Sequence, residues 1–244
     1  MRLALLDAVR LRSGMTVLDV GCGTGFPLLE IAARVGGGVA HGIDPWRAAL
    51  ERARRKAETR GLASVHLHEG VAEALPLADQ TVDLIVSNNG INNVSDLDRT
   101  LAECARVARS GAQLVFTFNL PDSMRAFYAA LEAVLVARGD TGAPTRIAEH
   151  VFARRKPLAF ITAAVERAGF RVEAVREDRF TLGFASAAAM FDHPFVRVAF
   201  LSAWLAIVPE EAREAAFREV EARFVGEVAL EIPFACVDAR RAGR

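Results

Sequence analysis

The stretch Val17-Leu18-Asp19-Val20-Gly21-Cys22-Gly23-Thr24-Gly25 constrains the fold of this 244-residue chain more than any other. A short apolar run enters a turn with three glycines in five residues. A segment of helical spacing, Pro27 to Val35, leaves it. Glycine tolerates φ > 0 and puts no side chain between the backbone and a ligand. A strand, a glycine turn and a helix in this order form a ligand-binding unit at the carboxyl end of a parallel strand.

The same alternation continues. Met15 to Val20, Val39 to Ile43, Val65 to His68, Val82 to Ser87 and Ala112 to Phe118 read as strands. Pro27 to Val35, Pro45 to Arg60 and Leu97 to Ala108 read as the helices between them. The strand runs lack period-2 alternation, so both of their faces are expected to be buried in a mostly parallel sheet with helices on both faces. Met1 to Ser13 reads as a short amphipathic helix. Beyond residue 118 the pattern changes: Pro121 to Arg138 reads as a helix, and a loop with Gly139, Gly142 and Pro144 follows. Pro157 to Ala168 is a further helix, Phe170 to Leu182 and Glu227 to Val237 are strands, and Gly183 to Val225 carries helical patterns. Of the 15 Phe residues, 14 lie after residue 115, which suits either core packing or an apolar pocket.

The third glycine position and Asp19 discriminate between cofactors. A dinucleotide loop, G-x-G-x-x-G, would place its third glycine at position 26, which is Phe26. Asp19, just before the loop, would repel a pyrophosphate at the helix N-terminus. S-adenosylmethionine (SAM) carries an ammonium and a sulfonium instead, and an acidic neighbour suits it. Asp44 ends the second strand about twenty residues after the loop, where a carboxylate can accept from two ribose hydroxyls, which suits both SAM and NAD. A helix-capping role for Asp44 is compatible with that.

These residues resemble the class I SAM-dependent methyltransferases. The motif V-L-D-V-G-C-G-T-G carries the likeness, with Glu73-Ala74-Leu75-Pro76-Leu77-Ala78-Asp79 and its continuation Gln80 to Ser87. Gly90-Ile91-Asn92-Asn93-Val94-Ser95-Asp96 is closest to the ubiquinone/menaquinone-biosynthesis C-methyltransferases. The likeness is strong over residues 13–118 and weak beyond. It implies a Rossmann-like seven-stranded, mostly parallel sheet in one domain over 1–244. The segments 119–155 and 183–225 are expected to form a helical cap that encloses the acceptor, on their Phe content and the absence of a basic face, and 183–225 departs from the simplest family pattern. It implies SAM as cofactor, leaving as S-adenosylhomocysteine. Asp19, Gly21, Cys22, Gly23 and Gly25 would hold the methionine end, and Asp44 and Pro45 the ribose side. Trp46 would cover the adenine, Val71 and Ala72 would flank it, and Asn88 would lie beside the sulfonium. Two positions depart from the family: Val71 replaces an acidic adenine contact, and Asn92 replaces the quinone enzymes' Arg.

The remaining features bound the chemistry. Thirty basic and thirty acidic residues leave no broad positive field, which argues against nucleic acid. The basic runs Arg52 to Lys56 and Arg154 to Lys156 read as solvated helix faces. Cys22, Cys104 and Cys236 are dispersed and odd in number, as expected of a cytoplasmic chain without disulfides or a zinc site. His66 and His68 share a strand face without a supporting carboxylate, so no metal is expected, and His41 shows no partner. Val196 to Val208 is too short to span a bilayer. Methyl transfer to a small, largely apolar acceptor needs a base only if the acceptor is acidic, and Tyr128, Glu149, His150 and His193 are the candidates. Homodimer formation is compatible with the chain, and so are a non-catalytic SAM-binding scaffold and, less well, a nicotinamide-dependent oxidoreductase.

Overall fold

A computed structural model of the protein describes residues 1–243, with the backbone alone at Arg2. Seven strands form one sheet: β1 Thr16–Val20, β2 Val39–Asp44, β3 Val65–Glu69, β4 Val82–Asn88, β5 Ala108–Asn119, β6 Phe170–Phe184 and β7 Val228–Arg241. Their order is β3-β2-β1-β4-β5-β7-β6. The pairs β1–β2, β2–β3, β1–β4 and β4–β5 are parallel, and β7 runs antiparallel to β5, with Phe116 opposite Val237.

The central strands are apolar because helices cover them. In β1, Val17, Leu18, Asp19 and Val20 are all buried. The connections are α1 Arg2–Ala8, α2 Leu28–Arg34, α3 Arg47–Thr59 and α4 Leu97–Val107. In α2, Leu28, Leu29, Ile31 and Ala32 face the interior, the i, i+3, i+4 stripe that helix geometry demands. Helix α4 begins at Asp96, whose carboxylate accepts from Arg99 N–H as an N-cap.

The chain forms two compact units. The first comprises residues 1–119, 157–178 and the chain from Phe234 on. The second comprises Leu120–Lys156 and Arg179–Pro233. The second holds α5 Arg125–Ala137, α6 Ala143–Arg154, α8 Ala187–Asp192, a helical run from Pro194 to Leu205 and the helix Arg213–Arg223. Helix α7, Leu158–Arg167, belongs to the first. A cluster of its own holds the second unit together, with Phe127, Leu131, Trp204, Val220 and Leu230 fully buried.

Several expectations change. Residues 143–154, read as part of a loop, form α6, because Pro144 sits in its first turn, where no intrahelical N–H is needed. The N-terminal helix stops at Ala8, since Val9 is extended. The second long helix starts at Arg47, not Pro45. Strand β5 begins at Ala108, next to the end of α4, and Gly111 takes a φ of 75° within it. Arg155 is buried at 4% exposure and is not part of a solvated face.

Candidate functional site

Chain order reverses between β1 and β4: from β1 the strands proceed outward to β2 and β3, and from β4 to β5 on the other side. Ligands of open α/β sheets bind at the carboxyl ends of the strands flanking such a point. There Gly21, just after β1, and Gly90, just after β4, meet. A Cβ on Gly21 would lie 2.9 Å from Gly90 Cα, and Gly21 also has a φ of 72°. Neither position accommodates a side chain, so two stretches of bare backbone border one cleft.

That cleft measures about 580 Å³, within the range of small-molecule sites. Gly21, Asp44, Pro45, Val71, Ala72 and Asn88 line it, so the structure brings together six of the residues expected to hold the cofactor. Asp44 is rigid. Its Oδ2 accepts from Gly23 N–H at 2.8 Å and its Oδ1 from Trp46 N–H at 2.8 Å. Both oxygens retain lone pairs for a ligand. Asn88 is oriented by Thr117, whose Oγ1 donates to its Oδ1 at 3.1 Å. The neighbouring Asn89 has a φ of 62°, and its N–H donates to Thr117 O at 2.9 Å.

The other expected residues lie off the lining. Asp19 is fully buried beneath the loop. Its Oδ2 accepts from Leu28 N–H at 3.2 Å and its Oδ1 has no partner. Burial pushes its carboxyl up to about 8, with the Asp44 charge adding to the rise and the Leu28 N–H opposing it. The Cys22 thiol packs on Gly42, where a Cβ would stand 2.7 Å from its Sγ. Burial raises that thiol far above its ordinary range. Gly25 lets Leu29 and Ala53 pack against the turn. Gly23 acts through its N–H on Asp44. Trp46 is 60% exposed.

Sequence reasoning passed over Gly90 and Glu73 as site residues. Glu73 lines the cleft, and its Oε1 accepts from Ser95 N–H at 2.7 Å and Asp96 N–H at 3.0 Å, which shapes the loop after β4. The Asn89-Gly90 pair, a turn signal in itself, was the available clue. Arg106 of α4 holds the segment from Leu75 to Asp79 in place: it donates to Leu75 O, Leu77 O, Asp79 Oδ1 and both oxygens of Glu103.

The base candidates lie in the second unit. Tyr128 Oη receives Arg155 Nη1 at 3.1 Å and Trp204 Nε1 at 3.2 Å, and stands 3.2 Å from His150 Nε2. Two donors fill the phenol's lone pairs, so its proton goes to His150 Nε2 and the imidazole proton sits on Nδ1. Burial, aided by the charges of Arg154 and Arg155, pushes His150 down to about 4. His193 is exposed and joins neither residue. Its Nδ1 accepts from Phe195 N–H at 3.2 Å, capping a short helix. Glu149 is exposed. In the first unit, β2–β3 pairing brings His41 Nδ1 to 3.1 Å from His68 Nε2, a partner that sequence spacing did not reveal. No group of three or more His, Cys, Asp or Glu among the described residues is arranged to hold a metal. The three cysteines are free and buried.

The methyltransferase-domain family model matches residues 11–139, over half of the chain. The chain belongs to the SAM-dependent methyltransferase family. It is 32% identical over 180 residues to the demethylmenaquinone methyltransferase of Thermus thermophilus, covering 70% of this chain and 79% of that one. A SAM-dependent methyltransferase from Aquifex aeolicus shares 27% identity at a TM-score of 0.55, covering 71% and 81% of the two chains. Geranyl diphosphate methyltransferase in complex with SAM shares the fold, with a TM-score of 0.62 at 18% identity over 99% of this chain and 84% of that one. Against several other curated relatives, the chain spans 37–52% of their length. Among the described residues of this family member, no helix is long and apolar enough to cross a membrane.

Proposed function

We propose that the chain is an active methyltransferase that carries the methyl group of SAM to a small, largely apolar acceptor. The observation that carries the cofactor half is the rigid Asp44 carboxylate beside the bare Gly21–Gly90 contact. A carboxylate with spare lone pairs suits ribose hydroxyls, and backbone without side chains admits a ligand closely. Asp19 lies buried beneath the loop, where a nearby positive charge favours its ionised form; the ammonium and sulfonium of SAM supply that charge and a pyrophosphate does not. The residues present therefore fit SAM. Val71 and Ala72 are assigned to the adenine edge and Asn88 to the sulfonium end.

SAM would supply an activated methyl on a sulfonium, whose leaving group is a neutral thioether that needs no protonation. What the protein adds is alignment and exclusion of water, which can supply much of the rate. The second unit is assigned to acceptor recognition, with 119–155 and 183–225 as the segments concerned. Its helical run contains a π-turn at Arg197–Leu201, a feature common at functional sites. Phe195 and Val198 around it are 51% and 75% exposed, and Phe195 meets Phe200 edge-on.

For an acceptor with an acidic proton, Tyr128 and His150 are the proposed pair: burial keeps His150 neutral, and its Nε2 takes the proton when the Tyr128 O–H that occupies it is displaced. His193 is assigned to capping. Calorimetry with SAM, S-adenosylhomocysteine and NAD, with Asp44→Ala alongside, tests the cofactor. Binding of the first two, lost in the variant and absent for NAD, is the expected result. Binding of NAD overturns the reading. Binding of SAM without product from any of a panel of apolar acceptors favours a non-catalytic scaffold.

A further inference from the structure

Arg155 is buried in the second unit without a counter-charge. One end of its guanidinium is fixed, since Nη1 donates to Tyr128 Oη at 3.1 Å. The opposite edge is not. Nε is buried and has no hydrogen-bond partner, and Nη2 meets only the Met124 sulfur, at 3.9 Å. No carboxylate among the described residues forms an ion pair with it. The neighbouring His150 is neutral and offers no negative charge. The guanidinium also lies over the Tyr128 ring, 5.6 Å from its centroid, but a buried cation without a counter-charge still opposes folding, and its presence needs a reason.

The Nε–Nη2 edge is the fork that grips a carboxylate. This molecule shows the same fork in use elsewhere: Arg106 Nε and Nη2 hold the two oxygens of Glu103 at 2.7 and 2.8 Å. Its planar geometry matches two carboxylate oxygens. The Tyr128 hydroxyl that holds Arg155 also receives Trp204 Nε1 at 3.2 Å, and Trp204 stacks on Phe127 with ring centroids 3.8 Å apart, so the surroundings are apolar and aromatic.

A second observation concerns Met124. It holds a left-handed backbone, φ 60° and ψ 31°, at the start of α5. That conformation is unfavourable for a residue with a Cβ and clusters at ligand clamps. Its N–H is pinned to Glu231 O at 2.8 Å, so the strain is imposed and not incidental. The thioether that lies against the fork is unbranched and readily changes rotamer.

We propose that Arg155 is the anchor of a carboxylate-binding site in the second unit, with Tyr128 fixing the guanidinium and the side chain of Met124 as the movable plug. The ligand is a small organic carboxylate with an apolar body. This deepens the reading that the second unit recognises the acceptor, and rests on it: the acceptor has an anionic handle as well as an apolar body.

The test uses the full chain and calorimetry with sodium hexanoate, its neutral counterpart hexanamide, and inorganic phosphate. Hexanoate is expected to bind the wild type at least tenfold more tightly than hexanamide. Arg155→Lys, which keeps the charge and loses the fork, is expected to weaken hexanoate at least tenfold. Met124→Gly, which removes plug and strain together, is expected to tighten it severalfold, and this variant keeps the test valid if Arg155→Lys does not fold. Equal binding of acid and amide, hexanoate binding unchanged in folded Arg155→Lys, or binding of phosphate but not hexanoate overturns the proposal. SAM affinity is measured in the same samples. Its loss would count against the methyltransferase reading alone, and its retention without hexanoate binding against this site alone.

Discussion

Gly21 and Gly90 touch backbone to backbone across the carboxyl ends of β1 and β4, and a methyl group on Gly21 would stand 2.9 Å from Gly90 Cα. On Gly90 the added group would collide with Val20 O and Ser87 Oγ. Gly90 has a φ of −71°, so alanine there tests the close approach alone. Gly90→Ala is expected to weaken SAM binding more than tenfold and to lower stability by about 1–3 kcal/mol. Calorimetry and thermal unfolding read both. Unchanged SAM affinity would show that the two loops can part without harm to the site.

Asp44 holds the cofactor loop as well as facing the cleft. Asp44→Asn removes the charge and replaces one acceptor oxygen with an NH₂ that must confront Gly23 N–H or Trp46 N–H. SAM affinity is expected to fall about 10–100-fold, the size of a lost hydrogen bond to a charged group. A variant with intact affinity would place the ribose elsewhere.

The buried Asp19 makes the stability of the ligand-free protein depend on pH. Its carboxyl is raised from 3.8 to about 8 by burial. The folded state therefore binds more protons than the unfolded state between those values, and stability falls as pH rises from about 4 through about 8. Asp19→Asn is expected to flatten that fall and to weaken SAM. Unfolding curves at pH 5 and pH 8.5 test the first part. A fall equally steep in both proteins assigns it to another group.

Arg106 ties Leu75, Leu77 and Asp79 to α4 and pairs with Glu103, whose carboxyl the Arg106 hydrogen bond holds below its ordinary value. Because the folded value is depressed, the stabilisation is complete above the unfolded carboxylate range and is lost as pH falls through the folded value. Arg106→Met is expected to cost about 1–3 kcal/mol at neutral pH, discounted because both partners are partly solvated. The loss should shrink in acid. Denaturant titrations at pH 7 and pH 3.5 measure it.

Much of the first unit was legible in the residues. The glycine turn after Val20 needs backbone freedom that few other sequences provide. The apolar runs of β1 and β4, each broken by a single aspartate, lack the period-2 alternation of a strand with one wet face and so indicate doubly covered strands. Asp19 and the absence of a third glycine at Phe26 then point away from a dinucleotide, and Asp44 supplies the ribose acceptor that either cofactor would use. These are local facts, set by backbone sterics, hydrophobic burial and Coulomb's law within a few residues of one another.

The tertiary structure decided what depends on distant partners. Arg155 stands in a basic run that reads as a solvated face, yet it is buried against Tyr128, 27 positions earlier. Pro144 reads as a loop residue, yet it opens a helix whose Ile147 is buried in the core of the second unit. His41 finds His68 only because β2 and β3 pair in that register. Cys22, although inside the glycine motif, turns away from the cleft because Gly42 leaves room for its sulfur. Burial and partnership across the fold are not properties of a residue's neighbours in sequence. The fold and its cofactor were therefore readable from the chain, whereas the buried fork of Arg155 emerged only from the packed structure.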